Sequence, residues 1–155
     1  MGEAKETLLE WVYYYAKNKD VLTRTIVKIE KKQNELFIIH KNKIQQYFVV
    51  EHISIQKKED KEIMDTILKV LQQNKSDAAK FYVIVFYNTT ENLQYITKNW
   101  NLFVGFPNLT IIFANPDSKT DKRWVIQPYT HNKITEKAAL ESGLKSLFET
   151  VEACV

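Results

Sequence analysis

Leu8, Leu9, Val12, Tyr15 and Ala16 recur at the spacing of one helix face, so residues 5–17 read as an amphipathic helix. The periodicity then changes. Thr23–Glu30, Glu35–His40 and Ile44–Ile55 are rich in β-branched and aromatic residues and read as strands. Lys31-Lys32-Gln33-Asn34 separates the first two, and Lys41-Asn42-Lys43 separates the second and third. Connections this short join only antiparallel neighbours, which predicts a three-stranded meander. Tyr47-Phe48-Val49-Val50 lacks polar alternation, so the third strand is expected to be covered on both faces.

Asp60 is placed to cap a second helix, whose apolar stripe is Ile63, Met64, Ile67, Leu68 and Leu71. Phe81–Tyr87 reads as a buried central strand. Thr89 or Thr90 caps a third helix carrying Leu93, Ile96, Trp100 and Phe103, which is expected to stop at Gly105, with Pro107 beyond it. Leu109–Ala114 is another buried strand. A polar loop, 115–122, leads to a short strand, Arg123–Gln127. Thr135 is expected to cap a final helix with Leu140, Leu144, Leu147, Phe148 and Val151 inward. The order is α-β-β-β-α-β-α-β-β-α. Helical crossovers between successive strands demand parallel pairing. The prediction is a single α/β domain over 1–155, with a mixed sheet, an antiparallel meander, parallel crossovers and helices on both faces.

A chain of 155 residues is long enough to bury a core without metal or disulfide staples. It holds no run of apolar residues long enough to span a membrane, and Met1–Lys5 is not followed by the apolar core of a signal peptide. A soluble, cytoplasmic protein with no membrane contact is expected. The one cysteine, Cys154, has no partner for a disulfide or a CxxC motif, which suits a reducing compartment. The net charge of +3 is too small to diagnose a nucleic-acid binder, but its distribution is uneven. Residues 17–43 hold eight basic and three acidic side chains, while the first sixteen residues sum to −2. Lys28, Lys31, Lys32, Lys41 and Lys43 dominate that basic strip, which suits a phosphate backbone.

Motif chemistry is defined mainly by exclusion. Three glycines, at 2, 105 and 143, build no phosphate-cradling loop, and neither GxGxxG nor GxxxxGK[ST] occurs. HExxH and GxSxG are also missing, and the three histidines (His40, His52, His131) lie in separate segments. Dinucleotide enzymes, P-loop enzymes, α/β-hydrolases and metalloproteases are thereby disfavoured.

The element order over residues 5–114 resembles the core of the restriction-endonuclease-like, PD-(D/E)xK superfamily. That resemblance implies an acidic residue on the second strand and an acidic-x-Lys triplet on the third. Together they would hold a divalent metal, Mg or Mn, that generates the attacking hydroxide. The corresponding positions here are Glu35 and Glu51, with His52 beside Glu51. Ile53 stands where the lysine belongs, so the motif is not intact. His52 and Glu51 also fall on opposite sides of a regular strand.

A second cluster, Arg123 to Lys133, gathers Arg123, Trp124, Tyr129, His131 and Lys133 at a strand end that leads into a helix. Aromatic and basic neighbours are the means by which single-stranded nucleic acids are held. Tyr13-Tyr14-Tyr15 spans about 200° of a helix, so at least one of these rings faces away from the core. The leading expectation is a nuclease-like module that binds DNA or RNA without catalysis and without a cofactor. The alternatives are a protein-interaction or homo-oligomerisation domain and a metal-dependent nuclease.

Overall fold

The computed structural model describes residues 7–51 and 58–154, except for the side chains of 58–60. The chain runs α1 (Leu8–Lys19), β1 (Ile26–Lys32), β2 (Glu35–His40), β3 (Ile44–Val50), α2 (Lys58–Gln73), β4 (Lys80–Tyr87), α3 (Thr90–Lys98), β5 (Leu109–Ala114), β6 (Arg123–Ile126), α4 (Pro128–Ile134) and α5 (Leu140–Phe148). The six strands lie in one sheet in chain order. β1–β2 and β2–β3 are antiparallel, β3–β4 and β4–β5 parallel, and β5–β6 antiparallel. The mixed sheet, the meander and both parallel crossovers are as the sequence predicts.

Strand alternation sorts the core into two layers. Phe48, Val50, Tyr82, Ile84, Phe86, Ile111 and Phe113 form one face with Met64, Ile67 and Leu71 of α2, Ile96 of α3 and Leu144 of α5. Leu36, Ile38, Tyr47, Val49, Val83, Val85 and Ile112 form the other with Leu8, Trp11, Val12 and Ala16 of α1. Among the described residues, one helix, α1, covers the second face. A fully buried side chain such as Phe86 or Phe113 contributes about 1.5–3 kcal/mol through removal from water.

Several boundaries differ from the sequence reading. β1 starts at Ile26 rather than Thr23 and continues through Lys32, which pairs with Glu35. The turn is only Gln33-Asn34, with Gln33 in the left-handed region (φ 46°). Lys31 and Lys32 look like loop residues in sequence because both faces of an edge strand can carry solvated side chains. Asp60 lies inside α2 instead of capping it. Gly105 has no left-handed backbone: a short 3₁₀ turn, 100–102, follows α3. Thr89 does cap α3, its Oγ1 accepting from Asn92 N at 3.2 Å. Residues 128–134, to which the sequence assigns no helix, form α4, with Pro128 in its first turn, and Thr135 closes that helix rather than opening the next. Residues beyond Val50 in the long third strand mostly lie outside the described residues, His52 and Ile53 among them. Among the described residues, no helix is long and apolar enough to cross a membrane.

Candidate nucleic-acid interface

The lysines of the 17–43 strip do not form one track. Pairing across β1 and β2 puts Lys31 with Leu36 on the α1 side, and Lys28 and Lys32 with Ile39 and Glu35 on the α2 side. Lys28 is tied to Glu30 at 2.8 Å, which raises the lysine pKa and lowers that of the carboxylate. Lys32 lies 5.4 Å over the Phe37 ring, and Lys43 the same distance over Phe81. Lys41 is exposed in the β2–β3 turn.

The Arg123–Lys133 cluster is divided in the same way. Arg123 pairs with Ala114, whose side chain is in the α1 layer, whereas Trp124 pairs with Phe113 in the other. Trp124 is core: it stacks on Phe113 (centroids 4.4 Å, planes 3° apart), and its Nε1–H donates to Asn88 Oδ1 at 2.8 Å. Tyr129 and Lys133 engage each other along α4, with Nζ 2.8 Å from the hydroxyl. His131 meets Trp100 edge-on at 5.7 Å, its Nε2 buried without a hydrogen-bond partner. Trp124 is therefore unavailable to a ligand, and Tyr129, His131 and Lys133 stand on a helix of their own.

Helix α1 brings together what the sequence separates. Its N-terminal N–H groups are held by Thr7 Oγ1, which accepts from Glu10 N at 3.1 Å, and by Glu51 Oε1, which accepts from Leu9 N at 3.0 Å. The Tyr87 hydroxyl has its pKa raised by burial and, less strongly, by Glu51, with the Leu8 backbone opposing the shift. Anchored there, α1 buries Trp11, Val12 and Ala16 and turns Tyr13, Tyr14 and Tyr15 outward or sideways. Lys17 and Lys31 lie 5.2 and 4.2 Å over the Tyr13 ring. Lys19 and Arg123 lie 5.5 and 4.8 Å over Tyr15, which also stacks on Trp11 at 5.0 Å. Cations from α1, β1 and β6 thus line the two flanks of α1, Lys17 and Lys31 over Tyr13 on the β1 side and Lys19 and Arg123 over Tyr15 on the β6 side. Cation–π contacts of this kind are worth about 0.5–1 kcal/mol each at exposed sites and hold the side chains in place.

The carboxylates implied by the nuclease resemblance do not converge. Glu35 is in register with Phe48 on the α2 side, its Oε2 accepting from Gln46 Nε2 at 3.4 Å. Glu51 reaches toward α1 to bond Leu9 N. Both border an open groove of about 620 Å³ that also carries Lys32, Ile63 and Thr66, but from different sides. Among the described residues, no group of three His, Cys, Asp or Glu side chains is placed to hold a metal ion. The described residues therefore do not fit a divalent metal in this groove.

Another polar centre is not foreshadowed by spacing. Asp20 closes α1 and holds the α1–β1 loop: Oδ1 accepts from Thr23 Oγ1, Thr25 N and Thr25 Oγ1, and Oδ2 from Ile26 N. Desolvation opposes ionisation, but these bonds, led by the Thr25 and Ile26 N–H groups, outweigh it and bring the Asp20 pKa down to about 2. Because the Thr25 hydroxyl proton goes to Asp20, His40 Nδ1 is the donor to Thr25 Oγ1, at 2.8 Å. His40 Nε2 lies 2.7 Å from Gln45 Oε1. The loop so fixed presents Leu22, 94% exposed, with Val21 beside it.

No family model matches the chain, and no curated protein or solved structure matches it either.

Proposed function

We propose that this protein is a nucleic-acid-binding module on a restriction-endonuclease-like scaffold, acting by binding rather than by cleavage. The observation that carries this reading is helix α1, flanked on one side by Lys17 and Lys31 over Tyr13 and on the other by Lys19 and Arg123 over Tyr15. A helix flanked in this way supplies both counter-charge for phosphates and platforms for bases. The leading helix, antiparallel meander and parallel crossovers support the scaffold assignment. The divergence of Glu35 and Glu51 supports binding without metal-dependent hydrolysis.

The test is a titration of labelled DNA and RNA, without metal, at about 50 and about 200 mM salt. A phosphate-tracking surface loses affinity steeply over that range, and Lys17→Glu combined with Lys31→Glu should weaken binding at the lower salt. No binding at about 50 mM salt would overturn the proposal. A second reading, a protein-interaction domain, is favoured by the rigidly held Val21-Leu22 tip and would then take its place.

A further inference from the structure

Between α1 and the segment leading into β6 lies an open groove of about 710 Å³. Tyr14 and Tyr15 form one wall, and Asp121, Lys122 and Arg123 form the other, with Lys19 at one end. Tyr14 is 56% exposed, a large ring left to solvent in a helix whose other aromatics are partly or wholly covered. It meets Tyr13 edge-on (centroids 5.4 Å, planes 79° apart), whereas Trp11 and Tyr15 stack nearly parallel, 13° apart. Three cations against one carboxylate leave the groove at +2.

We infer that this groove takes unpaired nucleotides, with a base stacked on Tyr14 and the adjoining phosphates set against Lys19, Lys122 and Arg123. The inference rests on the nucleic-acid reading above and adds a substrate class to it. A duplex hides the faces of its bases, so an exposed ring beside cations gains nothing from it beyond charge. A single strand offers both base face and phosphate at nucleotide spacing, which is what stacking platforms in basic grooves use. The charge of the groove also favours a polyanion over an uncharged aromatic ligand. Arg123 already stands over Tyr15, 4.8 Å from the ring centre, so its guanidinium is available for a second stacking contact at little cost in side-chain order.

Three probes of equal length separate the possibilities: an oligothymidylate, its abasic counterpart with the same phosphates, and a duplex. The expected result is that the oligothymidylate binds about tenfold or more tighter than the abasic strand. Tyr14→Ala should abolish that difference and Tyr14→Phe should retain it, with both variants matching the parent circular dichroism because the ring is exposed. Equal affinity for oligothymidylate and abasic strand, or for oligothymidylate and duplex, would overturn this inference while leaving the binding proposal standing. Absence of binding to all three at low salt would overturn both. Equal competition by polyglutamate would mark the groove as a generic site for acidic polymers and would also overturn it.

Discussion

Asn88 is the residue on which the end of the chain is fastened, and its removal should be among the most damaging single changes in the molecule. It lies fully buried just past β4. Its Nδ2 faces the carbonyls of Val151, Glu152 and Phe148 at 3.1, 3.3 and 3.4 Å, and its Oδ1 accepts from Trp124 Nε1 at 2.8 Å. Its own carbonyl accepts from Cys154 N at 2.9 Å. Asn88→Ala leaves the Trp124 N–H unpaired, which costs about 1–3 kcal/mol, and takes the Nδ2 donor from Val151 O, while Glu152 O keeps Asn115 Nδ2 and Phe148 O keeps Val151 N, for a total of about 2–4 kcal/mol. Asn88→Asp keeps an acceptor for Trp124 but sets a carboxylate against three carbonyls. Its folded-state pKa is then raised above the unfolded value, so the penalty is full at neutral pH. It shrinks as pH falls through the folded pKa, and is gone below the unfolded one. Urea denaturation, followed by circular dichroism and tryptophan fluorescence, reads both effects. At neutral pH the expected order of stability is parent, Asn88→Ala, Asn88→Asp, with the aspartate variant regaining stability toward pH 4–5. An alanine variant within about 1 kcal/mol of the parent, or an aspartate variant whose deficit does not change with pH, would refute the network reading.

Two further perturbations test other parts of the structure. The lowered Asp20 pKa contributes stability that is fully present above the unfolded carboxyl value of 3.8 and is lost as pH falls toward about 2. The stability gap between the parent and Asp20→Asn should therefore narrow between pH 4 and pH 2; thermal melts that stay a constant distance apart would contradict this. Glu51→Gln retains an acceptor for Leu9 N and should cost well under 1 kcal/mol, whereas Glu51→Ala should cost about 1 kcal/mol through loss of an N-terminal helix partner. Chemical denaturation checks the pair, and equal losses would show that charge, not the hydrogen bond, is what α1 uses.

What the sequence made legible was local or periodic. The stripe at Met64, Ile67 and Leu71, the unbroken apolar run before Asn88, and the short polar links of the meander each report their own element. Helix α4 was hidden because Tyr129-Thr130-His131-Asn132-Lys133 is polar, has no apolar stripe and is short; its stability comes from Pro128 and from packing on β5. Asp20 and Asn88 were hidden because one polar residue in a turn carries no period. Their importance lies in partners that folding delivers, in the case of Asn88 from the far end of the chain. The candidate site was legible only in parts. Tyr13–Tyr15 and Arg123 were each visible, but their meeting depends on β6 lying beside β5 with Arg123 on the α1 side. The basic strip failed as a unit because strand alternation sends Lys31 one way and Lys28 and Lys32 the other.

The sheet order carries a consequence for synthesis. Because β1 to β6 stand side by side in the order in which they are made, each new strand leaving the ribosome finds its neighbour already in place. No strand waits for a later one to fill a gap, and no edge has to be reopened to admit a latecomer. Each step closes only the connection between consecutive strands, two-residue and three-residue turns in the meander and helical crossovers after it, which limits the entropic cost of each addition. The fastening at Asn88 is the exception, since its carbonyl partners at 148–152 emerge after the entire sheet. Until then Asn88 Nδ2 and the Asn88 carbonyl rely on water. A nascent chain stopped short of residue 148 therefore holds a complete sheet with its final lock still open.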